Sequence, residues 1–283
     1  MVSVQLPPTT LIRFAPGAGV ITRGRGALQF GLDATRSGVI ETPLAGDVRP
    51  VLSRLRAPVS VADLLSGLAD AGMSEAAARS LVEELRAYRV IVADYSCAAL
   101  LVGEGPLHDA LSTLLRASGV TVRTQLAAEP LQRTLNSVDP SVPVVFVDQL
   151  HRARELAKNM RHLSAATLPV SAVDARVFIG PLGAGHPGPC LYCAHLYHAQ
   201  RDEQWEHVVG RASGATARPD TVLTAAGAAA AAVVIRRLCG VPDPPGVSAA
   251  APARGELIVA DPFSPVPLTR TVLSPHPGCP VCY

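Results

Sequence analysis

Four of the six cysteines fall in two Cys-x-x-Cys pairs, Cys190-Leu-Tyr-Cys193 and Cys279-Pro-Val-Cys282. Two intervening residues let one tight turn aim both thiolates at a single zinc ion, each at about 2.3 Å. Two such turns fill a tetrahedral shell and leave no position open for water or substrate. The spacing therefore predicts a structural site on Cys190, Cys193, Cys279 and Cys282 rather than a catalytic one. Between the pairs lie 85 residues, far more than a zinc ribbon has. One shared ion would pin the last residues of the chain to its middle. Pro189, Gly278 and Pro280 suit the tight turns required.

Other chemistry for these thiols is weaker. A thioredoxin-like pair needs a strand before it, whereas Cys190 follows the Gly/Pro-rich run Gly180–Pro189. A disulfide suits a secreted chain, but Met1–Thr10 has neither the charged start nor the apolar core of a secretory signal. The expectation is a cytosolic protein with bound Zn2+. His186, His195, His198 and His276 lie near the pairs and could replace a sulfur, though ordinary loop and helix positions account for them. Cys97 and Cys239 sit in apolar surroundings, at a strand and at a helix end, and read as small core residues.

A second chemical signal is the turn Gly103-Glu-Gly105 between an apolar strand and a helix. Bare glycine backbone at a helix N-terminus favours phosphate. The dinucleotide fingerprint needs a third glycine where His108 stands, and an acidic residue at the end of the next strand where Arg123-Thr-Gln-Leu runs. Gly103 and Gly105 thus read as a vestigial turn, with no ATP expected on this chain. Asp148, at a strand end, reads best as a cap of the following helix. Neither a Gly-x-Ser-x-Gly elbow nor a His-Glu-x-x-His pair occurs, and no catalytic residue is assigned.

The elements that must hold these residues divide the chain at residue 95. Residues 1–95 carry short β-type runs at Ala27–Leu32 and Ser37–Thr42, with a hairpin turn over Asp33–Ser37. Three helical patterns follow at Asp47–Leu55, Ser60–Ala71 and Ser74–Tyr88, the last two opened by serine caps. This order is winged-helix-like. Residues 96–283 alternate apolar strands with helices, which predicts a doubly wound α/β domain. The stretch Val222–Leu238 is mostly alanine and ends in Arg236-Arg237, so it reads as a buried helix and not a membrane span. With a net charge of +2, 17% charged and 4% aromatic residues, neither a dense basic face nor a stacking platform for nucleic acid is expected.

The runs "GALQFGLDATRSGVIE" and "YRVIVAD" around the three helices resemble a PqqD-like winged helix that recognises leader peptides. The runs "LLVGEGPLHDAL", "VVFVDQ", "GPLGAGHPGPCLYC" and "HPGCPVC" resemble a reduced ThiF-type, Rossmann-like α/β domain with a four-cysteine zinc site. Together they are similar to the ThiF-like partner proteins of thiazole/oxazole-modified microcin biosynthesis. That resemblance implies a non-catalytic protein that binds the leader of a precursor peptide and presents it to a separate YcaO-type cyclodehydratase forming azolines. It also implies a homodimer, as in ThiF-type domains. In PqqD-like domains the peptide lies between the third strand and the third helix. The matching residues here are Val39 and Glu41 on the strand, and Arg79, Glu83 and Arg86 on the helix. Alternatives are an ATP-dependent adenylating enzyme of the ThiF type and a winged-helix DNA-binding regulator.

Overall fold

The apolar run Cys97–Val102 is unbroken because both of its faces are covered. In the computed structural model, which describes residues 6–125, 130–184, 188–212, 219–247 and 249–282, the chain forms two compact units. One comprises Met1–Tyr95 with Pro242–Ala250, and the other Ser96–Val241 with Ala251–Tyr283.

The first unit runs β1 (Leu11–Phe14), β2 (Val20–Thr22), β3 (Ala27–Phe30), α1 (Ala34–Ser37), β4 (Val39–Glu41), α2 (Ala45–Ser53), β5 (Val59–Ser60), α3 (Val61–Asp70), α4 (Glu75–Ala87) and β6 (Ile91–Ala93). Two antiparallel sheets result, in the orders β5-β1-β6 and β2-β3-β4. Ser60 and Ser74 cap α3 and α4, accepting from the backbone N–H groups of Asp63 and Ala77 at 3.0 and 3.3 Å. β3 and β4 form the expected hairpin, and its connection over Asp33–Ser37 contains the single helical turn α1. Asp33 accepts from the backbone N–H and the hydroxyl of Thr35 and so closes it. Leu28, Phe30, Leu52, Leu55, Leu64, Leu68 and Ile91 are among the largest side chains of the core.

The second unit runs β7 (Cys97–Val102), α5 (Pro106–Ala117), β8 (Val120–Thr124), α6 (Leu131–Asn136), β9 (Val144–Val147), α7 (Ala153–Met160), β10 (Ala166–Val173), β11 (Arg176–Ile179), β12 (Gly183–Ala184), α8 (Leu191–Ala199), α9 (Trp205–Ala212), α10 (Thr221–Leu238), β13 (Glu256–Ala260) and β14 (Leu268–Val272). The sheet order is β14-β13-β11-β10-β9-β7-β8, with the short β12 also on β10. Strands β8, β7, β9 and β10 are parallel. From β10 to β14 every pairing is antiparallel, so the sheet is mixed. The turns after β10 and β13 are too short for a helical crossover, and short connections give antiparallel neighbours.

Side chains on one face of the central strands, Leu100, Val102, Val144 and Phe146, join α6, α7 and α8 in one core. Their neighbours Ala99, Leu101, Val145 and Val147 point the other way and are equally buried. On that side α10 packs on α5 and β11. Among the described residues α10 is the one helix long and apolar enough to cross a membrane. Its Leu223, Gly227, Ala228, Ala231 and Ile235 are nonetheless part of the packed interior. A methyl group on Gly227 would overlap the side chain of Val177, so the alanine-rich face lets the helix approach the sheet closely.

Candidate metal centre

Cys190 occupies the N-cap of α8 and Cys193 its first turn. Cys279 and Cys282 lie in a C-terminal knuckle whose turns are closed by Cys279 N–H to the His276 carbonyl (2.9 Å) and Cys282 N–H to the Cys279 carbonyl (3.3 Å). The four sulfurs lie within 4.8 Å of one another. Three separations are 3.8 Å (Cys190–Cys193), 3.7 Å (Cys190–Cys279) and 3.5 Å (Cys193–Cys282). A tetrahedron of sulfurs bonded at about 2.3 Å has edges of about 3.8 Å, so the donor set fits a zinc ion. Cys193 and Cys279 are buried, whereas Cys190 and Cys282 are partly exposed. Val281, between the last two thiols, is buried in the same core as Leu191 and Tyr192. Packing and thiols together therefore tie residues 279–282 to α8.

The electrostatics suit anionic sulfur. Cys193 is pulled down to about 5, chiefly because the Cys190 thiol donates to it. The His276 N–H, 3.3 Å from the same sulfur, adds to this. Cys190 is pushed up in turn, since the bond to Cys193 holds its proton. Burial pushes Cys282 up to about 12. Four ionised thiols at this spacing repel one another, and a divalent cation offsets that repulsion. The four cysteines could thus hold a metal ion, with the N-terminal turn of α8 lending its dipole.

The nearby histidines do other work. His276 accepts through Nδ1 from the Gly278 N–H at 3.0 Å and braces the knuckle. His195 stacks on Tyr192 with ring centroids 5.5 Å apart. His198 stacks on Trp205 at 4.5 Å and meets Phe178 edge-on at 5.3 Å. Burial lowers the pKa of both His195 and His198. The Tyr192 hydroxyl accepts from Arg154 at 2.8 and 3.1 Å. This aromatic layer behind the thiols was not read from the sequence. Its signal was the three-residue spacing of Tyr192, His195 and His198. His186 lies outside the described residues.

The glycine turn has a structural explanation. Gly103 sits at φ +127°, and a side chain there would strike the Val147 carbonyl. Gly105 at φ +107° caps α5 ahead of Pro106. His108 fills the position of the third fingerprint glycine, and its Nε2 is buried without a partner among the described residues. Asp148 does not cap a helix, contrary to expectation. At φ +53° it turns back, and its carboxylate accepts from the Ala172 N–H at 2.8 Å. Burial raises its pKa. It joins the ends of β9 and β10.

The residues expected to meet a peptide occupy two places in the first unit. Val39 and Glu41 lie on β4, an edge of the sheet β2-β3-β4. The Gly38 carbonyl accepts from the Phe30 N–H and the Thr42 N–H donates to the Gly26 carbonyl just before β3, and Ile40 pairs with Leu28 in the same register. Alternation then directs the N–H and C=O of Val39 and Glu41 away from β3. Arg79, Glu83 and Arg86 line a groove with Leu6, Val61, Leu65 and Val82, on the α3 flank of α4. Arg79 is also bonded to Glu75 at 2.7 Å. α4 packs on α3 and β6, so the helix trio shares its groove with α3.

The fold has known counterparts. The chain shares its fold with heterocyclases and with a microcin synthetase component. It aligns over 96% of its length with 99% of a chain from the E. coli microcin synthetase McbBCD complex with pro-MccB17 bound, at TM-score 0.60 and 12% identity. A heterocyclase in complex with substrate and cofactor aligns over 97% of this chain at TM-score 0.58 and 17% identity. The heterocyclase TruD aligns over 96% at TM-score 0.58 and 14% identity. The chain spans 40% and 43% of those two heterocyclases, less than half of either. No protein-family profile and no curated protein matches the sequence.

Proposed function

We propose that this protein binds the leader of a ribosomal precursor peptide and presents the peptide to a separate YcaO-type enzyme that forms azolines. The carrying observation is the end-to-end likeness to a chain of a synthetase complex with a pro-peptide bound. The outer edge of β4, unpaired among the described residues, supports it, because an extended peptide can add there as a further strand, with backbone hydrogen bonds giving affinity. In this reading residues 1–95 form a PqqD-like winged helix and residues 96–283 a ThiF-like domain that no longer handles ATP. His108 in place of a glycine, and the absence of an acidic side chain at the end of β8, support the loss. Zn2+ on the four cysteines would supply no chemistry beyond holding the C-terminal knuckle against α8. The setting is cytosolic.

Reconstitution tests the reading. Precursor peptide, ATP and the YcaO-type enzyme should yield azolines only when this protein is added. Equal ring formation without it would overturn the proposal. ATP–pyrophosphate exchange by this chain alone would favour an adenylating enzyme instead.

A further inference from the structure

We propose that Cys97 and Cys239 form a reversible disulfide that fastens the two places where the chain passes between its compact units. The first unit ends at Tyr95, and Cys97 opens β7 two residues later. Cys239 caps α10, and the chain leaves the second unit after Val241, again two residues on. The two cysteines are 142 positions apart in sequence, yet each thiol lies near enough to perturb the other. The Cys239 thiol also reaches the Ala98 carbonyl at 3.5 Å, next to Cys97 in the strand. Both thiols are partly exposed, so a small oxidant can reach them. Neither belongs to the four-cysteine cluster, and the simple core role expected of them does not explain a paired, accessible placement.

The chemistry is thiol–disulfide exchange with a low-molecular-weight disulfide such as oxidised glutathione. One cysteine thiolate attacks a glutathione sulfur, forms a mixed disulfide and expels the first glutathione thiolate. The second cysteine attacks that mixed disulfide and expels the other. Two protein thiols lose two electrons, one oxidised glutathione gains them, and both protons end on the released thiols. Burial pushes Cys239 up to about 12 and raises Cys97. The step should accordingly be slow at neutral pH and quicken about tenfold per pH unit as thiolate accumulates. The bond would close a long loop, which restricts the unfolded chain strongly.

The test incubates the full-length protein, as purified, with oxidised glutathione over a pH series. Free thiols are then alkylated, and peptides are mapped by mass spectrometry. The expected product is a peptide linked through Cys97 and Cys239, with the melting midpoint raised by at least about 3 °C and restored by dithiothreitol. Cys97→Ser should abolish both changes. Separate glutathione adducts on the two cysteines, both left alkylatable, or linkage of either to a knuckle cysteine would overturn the pairing. A linked pair with an unmoved midpoint would overturn the fastening role.

Discussion

At the scale of single residues, sulfur and imidazole give the sharpest tests. Cys193 and Cys279 are buried and Cys190 and Cys282 border them, so removal of any one leaves three close thiols without a complete shell. Cys190→Ala or Cys282→Ala should lower bound zinc from one per chain to near zero. Because site formation and folding are linked, the second unit should lose its native near-ultraviolet signal. Metal analysis with circular dichroism reads both, and full zinc content in either variant would contradict the assignment. His198 gives a pH test. Its folded pKa lies below 6.5, mainly through burial and then through Arg201 and Arg176. The unfolded state therefore binds the proton more readily between the two pKa values. This stabilisation is complete above about 6.5 and is lost as pH falls through that value toward the depressed folded pKa. Trp205, the single tryptophan, stacks on this ring. Its fluorescence should titrate with a midpoint below about 6.5, and the transition should vanish in His198→Ala. A midpoint above that value would contradict the burial argument.

At the scale of elements, α10 gives a test in which the sign decides. Alanine favours an exposed helix interior over glycine by about 1 kcal/mol. Gly227→Ala should do the reverse and cost about 1–3 kcal/mol, because the new methyl overlaps Val177 of β11. Gly46→Ala in α2, where nothing lies within 4 Å, should be neutral or stabilising. Denaturant unfolding distinguishes the two. The elements legible in the sequence were those with local causes. Ser60 and Ser74 as caps, the apolar run of β7 and the alanine-rich α10 all formed near their expected bounds. β1, β2 and β5 were missed because two to four residues carry too little alternation. The change to antiparallel pairing after β10 depends on tight connections whose geometry composition does not encode. The knuckle spacing made the four-cysteine cluster readable. The Asp148–Ala172 contact, the Cys97–Cys239 pair and the α3 side of the Arg79 groove were not readable, since each depends on residues brought together by tertiary packing.

At the scale of the whole molecule, the chain forms two units of different build. The second is held by a mixed sheet, helices on both faces and a cluster able to bind metal. The first offers the β4 edge, unpaired among the described residues. Chemistry on the peptide would then belong to a partner enzyme, and leader affinity should survive changes at the vestigial turn. Gly105→Ala, strained at φ +107°, should cost stability and leave affinity nearly unchanged in a calorimetric titration. The direct measurement is a titration of the leader peptide against the full-length protein and against Val39→Pro. Proline at position 39 removes an N–H that points away from β3 and so spares the existing ladder. The wild-type protein should bind with Kd below about 100 μM, and the variant should keep its fold and zinc while binding at least about tenfold more weakly. Equal affinity in a folded variant would contradict peptide addition at β4. Absence of binding by the wild type at that concentration would contradict the role itself.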